Sequence, residues 1–248
     1  MHHLPGRKPL ARAIVGLTVV AWAALLARDA SMMNEMDVRH AASDLSGVLV
    51  QWLLMLSAMM LPILAVPVKH VYDRSLKRHR FRSVGLFVLA YFAIWSASGV
   101  LVAWLSALSH SRWLIFTLAC FIVLIWHCSP GKQRCLNRCH ALPSLCAFGL
   151  RADVDALGFG LRHGTWCMWS CLPLMISITL LPEWHLVTMA AVAVWIFAER
   201  LELPRRPVWS CRVPLRLWRM ACANVPAFLS GGANRLLLTY EAKPVTLP

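Results

Sequence analysis

Soft metal donors fall into groups along this chain, which carries nine Cys, eleven Met and ten His. Sulfur and imidazole suit copper(I) and zinc better than hard cations. The first group is Met55, Met59 and Met60, within Met55-Leu56-Ser57-Ala58-Met59-Met60-Leu61-Pro62. Met55 and Met59 are four apart and share a helix face. Their thioethers are neutral, so they can hold a soft cation without adding charge to an apolar setting. Pro62 leaves the carbonyl of Ala58 without its helical partner. Set against a ligand role is the ordinary use of Met to fill gaps between helices.

The second group is His127, Cys128, Cys135, Cys139, His140 and Cys146. Cys135 and Cys139 have three residues between them and would point the same way on a helix, but this is not the C-x₂-C spacing of a zinc knuckle. Lys132, Arg134 and Arg138 lie close by and are expected to favour thiolate over thiol. The plain alternative is a basic loop with reduced, unligated thiols. In the third group, His163, Cys167, Cys171 and Met175, each member follows the last by four residues. Such a ladder drifts by about 40° per step on a 3.6-residue helix, so neighbouring pairs share a face best. Cys can also serve simply as a small apolar side chain at helix contacts. A fourth, weaker group is Met32, Met33, Met36 and His40, beside Glu35 and Asp37. It could gather copper(I) outside or form a plain linker.

Motifs of other chemistries are missing. No Walker A sequence, no H-E-x-x-H pair and no G-x-S-x-G elbow occurs, so an ATP-driven pump or an intramembrane hydrolase is poorly supported, and a membrane enzyme using Cys is the last of the alternatives. Charges inside apolar runs would suggest ion movement. The best case is Glu199 at the end of the last run, with Arg200 beside it expected to neutralise it. His185 sits at the opposite end of that run.

The elements that must position these donors are apolar. The chain of 248 residues is 59% hydrophobic and 15% charged, with a formal net charge of +14. Its charges cluster between six long apolar runs: Leu10 to Ala27, Val48 to Val68, Ser83 to Leu108, Trp113 to Cys128, Thr165 to Leu181 and Trp184 to Ala198. Pro62 and Pro67 are expected to kink or end the second run. Ser129 to Gly164 reads as the longest connection. The region after the first run, Ala27-Arg28-Asp29-Ala30, lacks a clean cleavage site, so an uncleaved helix is expected rather than a signal peptide.

If six spans alternate, 22 of the 25 Lys and Arg fall on one side, the side held in the cytoplasm by the positive-inside rule. The expectation is an all-α, polytopic six-helix transmembrane bundle of the inner membrane, with both termini in the cytoplasm. It forms one integral membrane domain over 1–248, with a basic tail over 201–248 that has room for an interfacial helix. Basic residues here meet anionic lipid; the lipid bilayer is the expected partner and nucleic acid is not.

From Val48 to Arg200 the chain resembles a bacterial family described as predicted metal-binding integral membrane proteins, a domain of unknown function, some members of which carry a copper-chaperone label. The resemblance rests on Ala58-Met59-Met60-Leu61-Pro62 and Tyr91-Phe92-Ala93-Ile94-Trp95-Ser96. It rests also on Lys132 with Cys135-Leu136-Asn137-Arg138-Cys139, on Gly160-Leu161-Arg162-His163-Gly164 followed by Cys167 and Cys171, and on Glu199-Arg200 where the family has Glu then Lys. The chain departs from the pattern at Ser170-Cys171-Leu172, where the family has Cys-Cys-Trp. It departs again at His140, where the family has Arg, and at Leu181 to His185, where the family has Gly-x-Met-Asn. The resemblance implies about six helices, an inner-membrane location and metal handling.

The leading expectation is a membrane protein that binds or transfers copper(I), or zinc. Cys135, Cys139, Cys167 and Cys171 would act as thiolates, His140 and His163 as auxiliary ligands, and Met55 and Met59 as a neutral transfer step. Another membrane protein or a metalloprotein would be the partner. The alternative is a non-metal membrane scaffold or assembly partner, and after that a small-solute transporter.

Overall fold

A computed structural model describes residues 7–34, 45–107, 112–179, 185–211, 213–217 and 219–220. Its helices are α1 (Arg7–Asn34), α2 (Leu45–Arg74), α3 (Arg80–Ala107), α4 (Arg112–Cys128), α5 (Pro130–Cys139), α6 (Gly149–Thr179) and α7 (His185–Leu201). Among the described residues there is no strand.

Among the described residues, three stretches are long and apolar enough to cross a membrane: Leu10–Asp29, Leu49–Arg74 and Arg80–Val102. Phe116–Cys128 is apolar but shorter. The outward faces fit lipid rather than water. On α1, Val15, Leu17, Val19 and Val20 are exposed, and on α4 so are Leu118, Phe121, Ile122, Leu124 and Ile125. Contiguous apolar surface of this extent is avoided in water.

Two expectations about the elements are narrowed. First, of the two outcomes expected at Pro62 and Pro67, a kink or an end, the end is excluded: α2 runs through both to Arg74. An apolar bundle tolerates helix proline because neighbouring helices and small local adjustments satisfy the freed carbonyls. Second, the stretch from Ser129 to Gly164 is mostly helix. Ser129 caps α5, its hydroxyl accepting from Lys132 N at 3.2 Å, and Pro130 occupies the first turn. Ser then Pro at these positions is a helix-start signature. α6 then begins at Gly149, whose φ of +66° turns the chain into it, and continues past Pro173 to Thr179. The boundary expected near Thr165 marks where polarity changes, not where the helix begins. The first turns of α6 carry Arg151, Asp153, Asp155 and Arg162, and Asp153 pairs with Arg82 at 2.7 Å.

α2 packs on α1, α3 and α7, while α6 packs on α3, α4, α5 and α7. Close approach of α6 to α3 depends on Gly160: a Cβ there would press into the carbonyl of Phe87 and the methyl of Ala90. Small residues at helix crossings serve this purpose in membrane bundles. The Phe87 and Phe159 rings then meet at 5.0 Å. On the other side of α3, the Trp52 indole donates to the Trp95 carbonyl at 2.9 Å.

Candidate metal centre

The whole ladder of α6 turns inward. His163 is 5% exposed, Cys167 0%, Cys171 2% and Met175 0%. A run of four-residue steps would drift off a small contact. Here neighbours stand on both sides of the drift, with α3 on one flank and α5 and α7 on the others, so every member stays covered.

Around the two thiols lies a polar knot. The Tyr91 hydroxyl of α3 meets Cys167 Sγ at 3.2 Å. Arg200, from the end of α7, donates through Nη2 to Ser170 Oγ at 2.9 Å and to Cys167 Sγ at 3.1 Å, with Cys171 Sγ at 3.9 Å. Cys139 of α5 is buried near this guanidinium. Cys135, one turn earlier on α5, is buried as well. Thus four of the expected thiols, Cys135, Cys139, Cys167 and Cys171, lie at the α5, α6 and α7 junction, and two of them, Cys167 and Cys171, meet on Arg200. Among the described residues, no three His, Cys, Asp or Glu side chains converge closely enough to hold an ion.

His163 is buried in a ring of aromatics. Its imidazole contacts Phe87, Tyr91 and Phe159, the last at 5.6 Å between centroids. Neither ring nitrogen has a hydrogen-bond partner, an uncommon state for a buried polar group. Burial, aided by the charge of Arg200 and by His140, pulls its pKa down to about 3. The ring is therefore neutral at physiological pH and keeps a lone pair for a soft cation.

His140 differs. One ring nitrogen faces the Leu136 carbonyl at 2.8 Å and the other the Arg200 carbonyl at 3.0 Å. A neutral imidazole donates to one of these carbonyls at a time; donating to that of Arg200, it staples the end of α5 to the end of α7, and to act as a ligand it must turn the other nitrogen from its carbonyl. Met55 and Met59 are buried on α2 together with Met60, in the same core as Cys167, Cys171 and Met175. α2 reaches the site's surroundings through α3 and α7 rather than by lying along α6.

The remaining donors are directed elsewhere. The backbone N–H of Cys146 bonds Asp155 at 2.9 Å, and Cys146 is exposed. The Cys128 carbonyl accepts from the Ser210 backbone N–H at 3.1 Å. His127 belongs to a charge network: Glu199 Oε1 is 2.6 Å from Lys132 Nζ, 2.8 Å from His127 Nε2 and 3.1 Å from Trp195 Nε1. Of the outer group, Met36 and His40 lie outside the described residues, as do the side chains of Met32 and Met33.

Two electrostatic expectations are overturned. Arg200 does not neutralise Glu199; Lys132 does, at 2.6 Å, and Arg200 turns to sulfur. Nor do the basic residues of α5 favour thiolate. Burial pushes both Cys135 and Cys139 above the ordinary thiol value, outweighing Arg138 and Arg200, because Lys132 is engaged by Glu199 and Arg138 lies over the Trp166 ring at 4.3 Å. Burial likewise lowers Lys132 against the pull of Glu199. For Glu199, burial would raise the carboxyl, but His127 and Lys132 together hold it below the usual range. Tyr91, Ser170 and Trp195 were not legible as site residues, and Lys132 stood out only as a cation beside the thiols, not as the partner of Glu199. The one usable signal was the Glu199-Arg200 dipeptide closing an otherwise apolar run.

A protein-family model described as PpoB2, copper chaperone, matches residues 49–221. No curated protein matches the chain, and no solved structure does.

Proposed function

The chain belongs to this copper-chaperone family, and we propose that it holds copper(I) inside a membrane-embedded helix bundle and hands the ion on. The observation that carries the proposal is the buried ladder His163, Cys167, Cys171 and Met175, with an imidazole that has no other partner. Cys167 and Cys171 are the principal thiolates, since they are four apart on one helix and lie within reach of each other. Cys139 and Cys135, on the neighbouring short helix, exchange with them. His163 supplies a neutral nitrogen. His140 keeps α5 in place and ligates only when it releases a carbonyl. Met55, Met59 and Met175 supply thioethers, which bind softly and release readily. The family description speaks for copper rather than zinc.

The bundle sits in the inner membrane with six spans and both ends in the cytoplasm; the three long apolar helices and the sidedness of the basic residues support that arrangement. The α5 end of the bundle would then face the cytoplasm, and the recipient is a membrane protein or a metalloprotein. Elemental analysis of the detergent-purified protein tests the reading. Copper should copurify with it, and should be lost in a variant with Cys167→Ser and Cys171→Ser. Equal metal in both would remove the site and leave the scaffold reading standing.

A further inference from the structure

We infer that Arg200 is the counter-charge that sets this site for a monovalent soft cation; the inference rests on the copper reading above. Arg200 is 9% exposed, and its Nε and Nη1 have no partner. Among the described residues no carboxylate pairs with it. Its neighbour in sequence, Glu199, is held by Lys132 and His127, so those charges close on themselves. A lone guanidinium among thiols is costly in an apolar interior, and its position next to Cys167 and Cys171 has a use once an ion is bound.

Binding replaces two S–H bonds by two metal–sulfur bonds. Both protons leave to water, and no electron moves. The two thiolates carry −2, a monovalent ion +1 and Arg200 +1, so the filled site is neutral. A divalent ion in the same place leaves it at +1, a buried excess charge beside a guanidinium. Softness alone admits both copper(I) and zinc(II); charge balance separates them. Removing the guanidinium reverses the balance. The copper(I) site then carries −1 and the zinc(II) site is neutral.

The test uses the full-length protein in detergent. Wild type, Arg200→Met and Arg200→Lys are titrated anaerobically with copper(I) against a copper(I) chelator, and separately with zinc(II) against a zinc dye. A second pair, silver(I) and cadmium(II), repeats the charge contrast with two soft ions. In Arg200→Met the ratio of monovalent to divalent affinity should fall on the order of a hundred-fold, the scale of one unit charge a few ångströms away in a partly screened interior. Arg200→Lys should keep the wild-type ratio. An unchanged ratio in Arg200→Met for both ion pairs overturns the inference, and so does a Lys variant that behaves like Met. If Arg200→Met is not monodisperse, Arg200→Gln takes its place. Wild type that binds neither copper(I) nor silver(I) refutes the copper reading itself, a different failure from an unchanged ratio.

Discussion

Glu199→Gln should unfold the protein far more readily than its small change in shape suggests. Glu199 and Lys132 side chains are 11% and 5% exposed and 2.6 Å apart. Gln keeps the volume and one acceptor, but leaves the Lys132 ammonium buried without a counter-charge. Breaking a buried pair from one side costs about 3–5 kcal/mol. The retained acceptor puts this case near the lower figure, or a fall in Tm of about 6–12 °C at about 2–4 °C per kcal/mol for a chain of this size. Lys132→Met should cost less, about 1–3 kcal/mol, because Glu199 keeps His127 and Trp195. The double variant should be milder than the sum of the two, with a coupling of at least about 2 kcal/mol. Thermal unfolding followed by circular dichroism in one detergent reads all four proteins. Strict additivity would refute the pairing. The sign of the pH dependence is also set. The Glu199 carboxyl is depressed in the folded protein, so its contribution is complete above the unfolded value. It is lost as pH falls below about 4.5. Wild type should therefore lose stability in acid along a limb that Glu199→Gln lacks.

Gly160→Leu should lower stability by about 1–3 kcal/mol by forcing α6 off α3, and an unshifted Tm would show that the two helices do not meet there. His163→Leu should leave stability unchanged or slightly raised, since it removes two unbonded polar atoms, yet weaken copper(I) binding about tenfold, on the scale of one lost ligand interaction. Unaltered copper affinity would take His163 out of the site. Cys146→Ser should leave copper content as it is, because that residue is exposed and tied to Asp155; a fall would place it among the ligands. A fluorescent reporter fused after Pro248 should glow only if the tail is cytoplasmic, and an outside location would reverse the topology.

Much of this was legible in residue type and spacing. The four-residue ladder from His163 to Met175 was visible because helical period alone puts those side chains in line, and burial keeps them there. The apolar runs located α1, α2 and α3 for the same reason: hydropathy reports the environment of a stretch directly. It reports helix ends poorly. α5 and the first turns of α6 read as loop because their charges broke the apolar pattern, although Ser129, Pro130 and Gly149 held the local cues. Long-range partners were the least accessible. Arg200 was assigned to its neighbour Glu199 by sequence proximity, whereas consecutive helical residues point apart. Which distant group each would find depended on how α5 and α6 came to rest against α7. The orphan imidazole of His163 was equally hidden, since sequence carries no trace of a bond that is not made.

Glu199 and Arg200 leave α7 about 100° apart, as successive residues on a 3.6-residue helix must. One is gripped by α5 through Lys132 and the other by α6 through sulfur. The helix end is keyed at two points, like an axle that cannot spin. Rotation that eases one grip strains the other. Any turn of α7 is therefore shared at once with α5, the element carrying Cys135 and Cys139, and with α6.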